Sequence, residues 1–315
     1  MFTRKNKKFV LILVSLMVMS LWLAACGDNK EKEAPASAER TVTDALGNQV
    51  TIPANPQRII ASYLEDHLIT LGVKPVAQWS VPNGIQDYLQ ASLKDIPTIA
   101  YDLPFEAVTN FSPDLLIMAY NSNVEGEKYA QYSKIAPTYT LGDDINADWR
   151  KSLLKIGEVL GKSKEAQQAI DTYEAKAKDA KEKLQASVKG ESAAAIWLVG
   201  KSFYIVSDKL SSGAVLYNDL GLEVPKVVQE ISAAGTGNWN PIPLEKLAEL
   251  DADHIFFVDS DKSTGSEALK DPIWQTIPAV KNGNIHEFPS TGSWLYSGAI
   301  ANSLMIDDVL GSLVK

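Results

Sequence analysis

Short apolar runs alternate with longer amphipathic stretches along most of this chain. Arg58-Ile59-Ile60-Ala61-Ser62, Pro75-Val76-Ala77-Gln78-Trp79 and Pro113-Asp114-Leu115-Leu116-Ile117-Met118 are bounded by Pro, Gly or Asn and lack a clean polar alternation. That pattern predicts strands buried in an α/β layer. A second set follows residue 190, with Ser192–Val199, His254–Val258 and Asn284–Phe288. Two α/β units are therefore expected. Between them lies the longest helical pattern, Ser163 to Val188, in which Ala166, Ile170, Tyr173, Ala177, Ala180, Leu184 and Val188 recur at three and four. Ser163 is its expected N-cap and Gly190 its stop. At 1.5 Å per residue such a helix is roughly 39 Å long, enough to run the height of a lobe pair. Its charged face, including Lys164, Glu165, Lys178 and Lys183, reads as solvated.

The first 26 residues follow another rule. Arg4, Lys5, Lys7 and Lys8 precede an apolar run from Phe9 to Leu23, and Leu23-Ala24-Ala25-Cys26 follows. A basic region, an apolar region and small residues mark a secretory signal. The run is about 15 residues, shorter than the roughly 20 needed to span a bilayer as a helix. Leu-Ala-Ala-Cys resembles the bacterial lipobox, which implies acylation of Cys26 and removal of residues 1–25. Cys26 is also the single cysteine of the sequence, so no disulfide is expected. Residues 27–39 (GDNKEKEAPASAE) carry no bulky apolar side chain and read as a disordered tether.

Removing the leader leaves 290 of 315 residues, ample for two lobes, and takes the formal net charge from −9 to −13. Such a chain is a poor nucleic-acid binder. Three arginines remain, Arg40, Arg58 and Arg150.

Several stretches, in order and spacing, carry a family resemblance over essentially the whole mature chain. They include Asp44-Ala45-Leu46-Gly47, Ile52–Ile60, Leu71–Val76, Phe105–Val108 running into Ser112–Ile117, Lys134–Thr138, Leu216–Leu222, Leu244–Leu247 and Asp271–Trp274 with Ala279–Gly283. The sequence resembles the siderophore-binding lipoproteins of ABC importers, the ferric-hydroxamate and ferrichrome-binding type related to the vitamin B12-binding proteins. The resemblance implies an α/β fold of two Rossmann-like lobes joined by a single long interlobe helix, with ligand in a shallow cleft and little hinge closure. The corresponding division is leader 1–25, lipid-anchored tether 26–40, N-terminal lobe 41–147, interlobe helical segment 148–190 and C-terminal lobe 191–315. It also implies a monomer on the extracytoplasmic face of the cell membrane, held by its lipid, that carries a ferric siderophore to permease subunits. Glu106 and Glu245, in Pro104-Phe105-Glu106 and Pro243-Leu244-Glu245, match the glutamates that pair with permease arginines in that family. Each also suits the positive end of a short helix.

In open α/β sheets, ligands sit on loops beyond the carboxyl ends of strands. The expected ligand contacts are Trp79, Tyr101 and Tyr120 in the first lobe and Lys201, Tyr204, Trp239, Trp294 and Tyr296 in the second, with Tyr63 a weaker candidate and Trp197 assigned to the core. Flat amphipathic rings suit a chelate with an apolar exterior and carbonyl oxygens near the iron. Strongly anionic chelates call for clustered Arg or Lys. Arginine scarcity therefore favours a hydroxamate, with a mixed citrate-hydroxamate accommodated if Lys201 and Arg150 contribute.

Direct metal-ion, haem or cobalamin binding is the alternative, since Glu65, Asp66 and His67 follow the first strand where related metal binders place a ligand. No closely spaced His pair supports it. No Gly-x-Ser-x-Gly elbow or complete phosphate loop is present, so an enzyme is not expected. The chelator saturates the iron, so the protein needs no metal ligand or cofactor of its own.

Overall fold

Exposed Gln49 and Thr51 alternate with buried Val50 and Ile52, and this period of two forms one strand of a hairpin, Arg40–Thr43 (β1) with Gln49–Ile52 (β2). Its turn is closed by Asp44, whose carboxylate accepts from Leu46 N–H at 3.0 Å and Asn48 N–H at 2.8 Å, while Gly47 takes φ +84°. The structure, a computed structural model, describes residues 38–314 apart from 83, 236, 265 and the side chain of 264. The leader, Cys26 and nearly all of the tether lie outside the described residues. β1 begins at Arg40, the last residue assigned to that tether.

The N-terminal lobe is built on Ile59–Ile60 (β3), helix Glu65–Thr70 (α1), Gln78–Val81 (β4), Gly84–Ile85 (β5), Thr98–Ala100 (β6), helix Phe105–Asn110 (α2), Leu115–Met118 (β7) and Thr138–Thr140 (β8). β3, β7 and β8 are parallel, and β4 pairs parallel with β6. Ile59, Leu115 and Ile117 enter one apolar cluster and Ile60, Leu116 and Met118 another. Strand alternation puts successive side chains on opposite faces, so a sheet covered on both sides needs apolar residues throughout.

Trp149–Leu160 (α3) and Ser163–Ser187 (α4) connect the lobes. Asp148 caps α3, accepting from the Arg150 and Lys151 amides, and Gly161 ends it at φ +67°. That early stop makes Lys162 the N-cap residue of α4, without a side-chain cap, and Ser163 its first helical residue. Ala166, Ile170, Tyr173, Ala177, Ala180 and Leu184 are its buried stripe, as their spacing predicts.

The C-terminal lobe contains Ala193–Val199 (β9), Ser202–Val206 (β10), Trp239–Ile242 (β11), helix Leu244–Leu247 (α5), His254–Asp259 (β12), Ile285–Pro289 (β13) and helix Ala299–Leu313 (α6). Its sheet has the order β11-β10-β9-β12-β13, with β9, β12 and β13 parallel and β10 and β11 antiparallel additions. The larger apolar cluster runs from β3 and β7 through α3, α4 and α6 into β9 and β12. Among the described residues, no helix is long and apolar enough to cross a membrane.

Candidate functional site

The interlobe concavity is walled by Tyr63, Leu64, His67, Tyr120, Asn146 and Trp149 on one side and by Ser211, Asn238, Leu295, Tyr296 and Ser297 on the other. Its enclosed volume is about 50 Å³. That is room for one or two waters at roughly 30 Å³ each, so a chelate would lie across its mouth. Larger surface grooves exist, such as one of about 550 Å³ lined by Asn48–Thr51, Tyr129, Ser133 and Ile135–Thr138, but that one lies within the N-terminal half of the chain. A groove of about 490 Å³ lined by Thr70, Gln168, Thr172, Ala299 and Ile300 also joins both halves of the chain, but its one aromatic, Tyr173, is buried, so aromatic lining together with interlobe position selects the site.

Two wall residues are strained. Tyr63 and Ser211 adopt φ of +69° and +51° without being glycine. Such conformations cost of order 1–3 kcal/mol and cluster at ligand sites. Two buried ring nitrogens in the same wall, His67 Nδ1 and Trp149 Nε1, have no hydrogen-bond partner among the described residues. Burial pushes the His67 imidazole down to about 4, so it is neutral at physiological pH.

Tyr296 crosses from the C-terminal part of the chain to the N-terminal lobe. Its ring lies 5.1 Å from Tyr88, 6.2 Å from Tyr63 and 6.4 Å from Trp79, and its hydroxyl donates to Ile85 O at 3.1 Å. Trp79 meets Tyr63 edge-on at 5.2 Å. Tyr101 follows β6, the neighbour of β4, and is 57 % exposed. Tyr120 is in the cavity wall beside Asn146.

A second aromatic group lies on β9–β11. Trp197 is 5.5 Å from Tyr204 and 6.0 Å from Trp239. Trp197 is partly buried, packs against the larger apolar cluster and donates to Ser260 Oγ at 2.9 Å, so it ties this group to the core. Trp239 adjoins wall residue Asn238, and its indole N–H is buried without a partner among the described residues. Lys201, at φ +64°, occupies the exposed β9–β10 turn, where its N–H and that of Gly200 donate to the Asp261 carboxylate at 2.6 and 2.8 Å.

Two expected contacts lie elsewhere. Trp294 is 1 % exposed, stacked 4.9 Å from Phe256 and 5.1 Å from Phe288, with its N–H donating to Asp308 at 2.9 Å. It is a core residue with no face for a ligand. The Arg150 guanidinium binds Glu174 at 2.6 Å and Asp219 at 2.9 Å and lies 4.6 Å above the Trp149 ring. It braces α3 against α4 and the segment at Asp219. Tyr63 and Tyr88 are the contributors that sequence patterns underrated. Tyr63 follows a strand end like the other candidates, whereas Tyr88 sits in a short helical turn that carries no such signal.

Glu65, Asp66 and His67 diverge to separate roles. Glu65 accepts from Trp79 N–H at 2.7 Å, and Asp66 accepts from Ile300 and Ala301 N–H at 3.1 and 2.9 Å. Burial raises Glu65 from 4.5 to about 7 against backbone donation from Trp79, and Asp66 from 3.8 to about 6 against the Ala301 and Ile300 amides. Both folded values exceed the unfolded ones, so the folded state holds these protons more tightly. Their contribution to stability is whole below about pH 4 and is lost as pH rises through roughly 6 to 7. Thermal melts should therefore show a lower melting temperature at pH 8 than at pH 5. Glu65→Gln keeps an oxygen for Trp79 N–H without the charge and should shrink that drop; equal drops would place the titration elsewhere.

Glu106 and Glu245 are exposed in the first turns of α2 and α5, each after a proline N-cap residue. The neighbouring Lys246 pairs with Glu230 and Glu249.

A family model described as periplasmic binding protein matches residues 62–291. The probable siderophore-binding lipoprotein YfiY of Bacillus subtilis is 26 % identical, covering 96 % of this chain and 97 % of its own. The iron(3+)-hydroxamate-binding protein YxeB of the same organism is 24 % identical over 98 % of both chains. Among solved structures, Staphylococcus aureus SirA complexed with staphyloferrin B superposes with a TM-score of 0.73 at 26 % identity, covering 87 % of this chain and 98 % of that one.

Proposed function

The chain belongs to the periplasmic binding protein family, and on that premise we propose that it is an extracytoplasmic lipoprotein that captures a ferric siderophore between its lobes and delivers it to an ABC permease for iron uptake. The ligand class is a hydroxamate or a mixed citrate-hydroxamate. The observation that carries this choice is the commitment of all three arginines beyond the leader. Arg40 donates to Val159 O at 2.7 Å, Arg58 to Ser112 O at 2.8 Å and to Phe111 O, and Arg150 to Glu174 and Asp219. No guanidinium is left to compensate a buried anion, and an aromatic cleft suits a neutral or weakly charged chelate. The name of YxeB, an iron(3+)-hydroxamate-binding protein, supports the hydroxamate class.

Trp79, Tyr101, Tyr120, Tyr204, Trp239 and Tyr296 supply the contact area, and Lys201 is the cation for any citrate carboxylate. The chelator holds the iron, so the protein contributes no metal ligand and performs no reaction on it. Equilibrium dialysis of the full chain in detergent against a ferric trihydroxamate, ferric citrate, zinc, manganese, haem and cobalamin tests the reading. Submicromolar retention of the trihydroxamate is expected, and retention of bare metal, haem or cobalamin alone would overturn it.

Glu106 and Glu245, one on each lobe, are the docking points for permease arginines. Replacing both by alanine is expected to lower cellular iron-siderophore uptake about tenfold or more, on the order of 1.4 kcal/mol, with ligand affinity unchanged. Full uptake by the double variant would remove the docking assignment. Acylated Cys26 and its tether keep the loaded cleft at high local concentration near the permease.

A further inference from the structure

Glu65 and Asp66 head α1 with 0 % and 2 % exposure, and ligand contact uses neither of them. Buried carboxylates need donors, and those of Asp66 come from far along the chain. Besides Ile300 and Ala301 N–H, it accepts from Tyr88 Oη at 3.1 Å and from Thr70 Oγ1 at 3.4 Å. Ile300 and Ala301 form the first turn of α6 and lie 234 and 235 positions from Asp66. Helix N-termini expose amides that a capping side chain normally satisfies. The N-cap residue of α6 is Gly298, which has no side chain to offer. A Cβ there would lie 2.3 Å from Asp66 Cγ, so the missing side chain is also what lets Asp66 enter. Asp66 thus caps α6 in place of α6's own N-cap residue.

Tyr296 stands two residues before Gly298, and its ring packs on Tyr88, which itself donates to Asp66. Glu65, adjacent in sequence, fixes Trp79 through its amide. We propose that Asp66 is a positioning residue for ligand capture. By capping α6 from the N-terminal lobe it holds the 293–298 segment in place, so that Tyr296 stands against Trp79, Tyr63 and Tyr88 before ligand arrives. This rests on the siderophore-cleft reading for its purpose but not for its geometry.

The test compares wild type, Asp66→Ala and Asp66→Asn as full chains in detergent, well below their melting temperatures. In the ligand-free proteins, Asp66→Ala is expected to speed exchange of the Ile300 and Ala301 amides tenfold or more and to weaken the near-ultraviolet circular dichroism of the aromatic group. Affinity for a ferric trihydroxamate should fall about tenfold or more. Asp66→Asn keeps one acceptor oxygen and should restore one amide, most of the dichroism and most of the affinity; it also decides the matter if the alanine variant does not fold. Faster exchange with unchanged dichroism and affinity would reduce Asp66 to a helix cap, and unchanged exchange would remove even that. If wild type binds no ferric siderophore, the cleft reading fails while the ligand-free dichroism and exchange still decide whether Asp66 positions Tyr296.

Discussion

Removing Trp79 and Trp239 together is expected to abolish tight siderophore binding without unfolding the protein. Aromatic side chains at the centre of an interface carry hot-spot energies of about 2 kcal/mol when truncated. One such loss is roughly thirtyfold in affinity, and two independent losses approach a thousandfold. Independence is reasonable because the two rings belong to separate groups, Trp79 with Tyr63 and Tyr296, and Trp239 with Trp197. Both are partly exposed, so truncation opens no sealed core cavity. Equilibrium dialysis with radio-iron-loaded trihydroxamate gives the affinity without relying on tryptophan emission, and a thermal melt gives the stability. Affinities within threefold of wild type for the double variant would exclude this aromatic surface as the binding site.

Trp294→Ala should do the reverse, unfolding the C-terminal lobe at lower temperature rather than emptying the cleft. Large-to-small replacement of a buried Trp costs about 3–5 kcal/mol through lost burial and the cavity left behind. The Phe256 and Phe288 rings that pack on the indole would face that cavity, and Asp308 would lose its donor. For a chain of this size the melting temperature should fall by roughly 10 °C. Trp294→Phe separates the two contributions, because it keeps a stacked ring and removes only the N–H. Its cost should be roughly 0.5–1.5 kcal/mol, that of one ordinary hydrogen bond, because Asp308 is half-buried and water can replace the donor. A stable Trp294→Ala protein with weakened siderophore binding would return Trp294 to the ligand surface.

Much of the fold was legible because its signals are local. The runs at Ile59-Ile60, Leu115–Met118, Ala193–Val199 and His254–Val258 contain the strands they predict, since a sheet covered on both faces leaves no room for polar alternation. The stripe from Ala166 to Leu184 is buried at its predicted positions for the same kind of reason. The antiparallel additions β10 and β11 were not anticipated. Trp239-Asn240-Pro241-Ile242 contains a proline and is an edge strand, a setting that tolerates a missing donor and weakens the sequence signature.

The site was less legible. A tryptophan in a turn after a strand has the same local context whether it folds inward or lies across an opening. Trp294 and Tyr296 share one loop and were assigned one role, yet Trp294 stacks on Phe256 within its own lobe while Tyr296 reaches Ile85 across 211 positions of sequence. Arg150 likewise has the context of a solvated helix residue. Its actual partners are Glu174 and Asp219, placed beside it by the packing of other elements.

By itself the sequence determined the alternation of strands and helices, the long connecting helix, the acidic balance and the small number of arginines, because each is a property of neighbouring residues or of composition. Packing between distant segments sets which rings meet at the cleft, binds every arginine beyond the leader, and lets Asp66 cap a helix more than two hundred residues away. Those outcomes depend on where distant backbone segments come to rest, and long-range packing leaves no mark in the local pattern of any one segment.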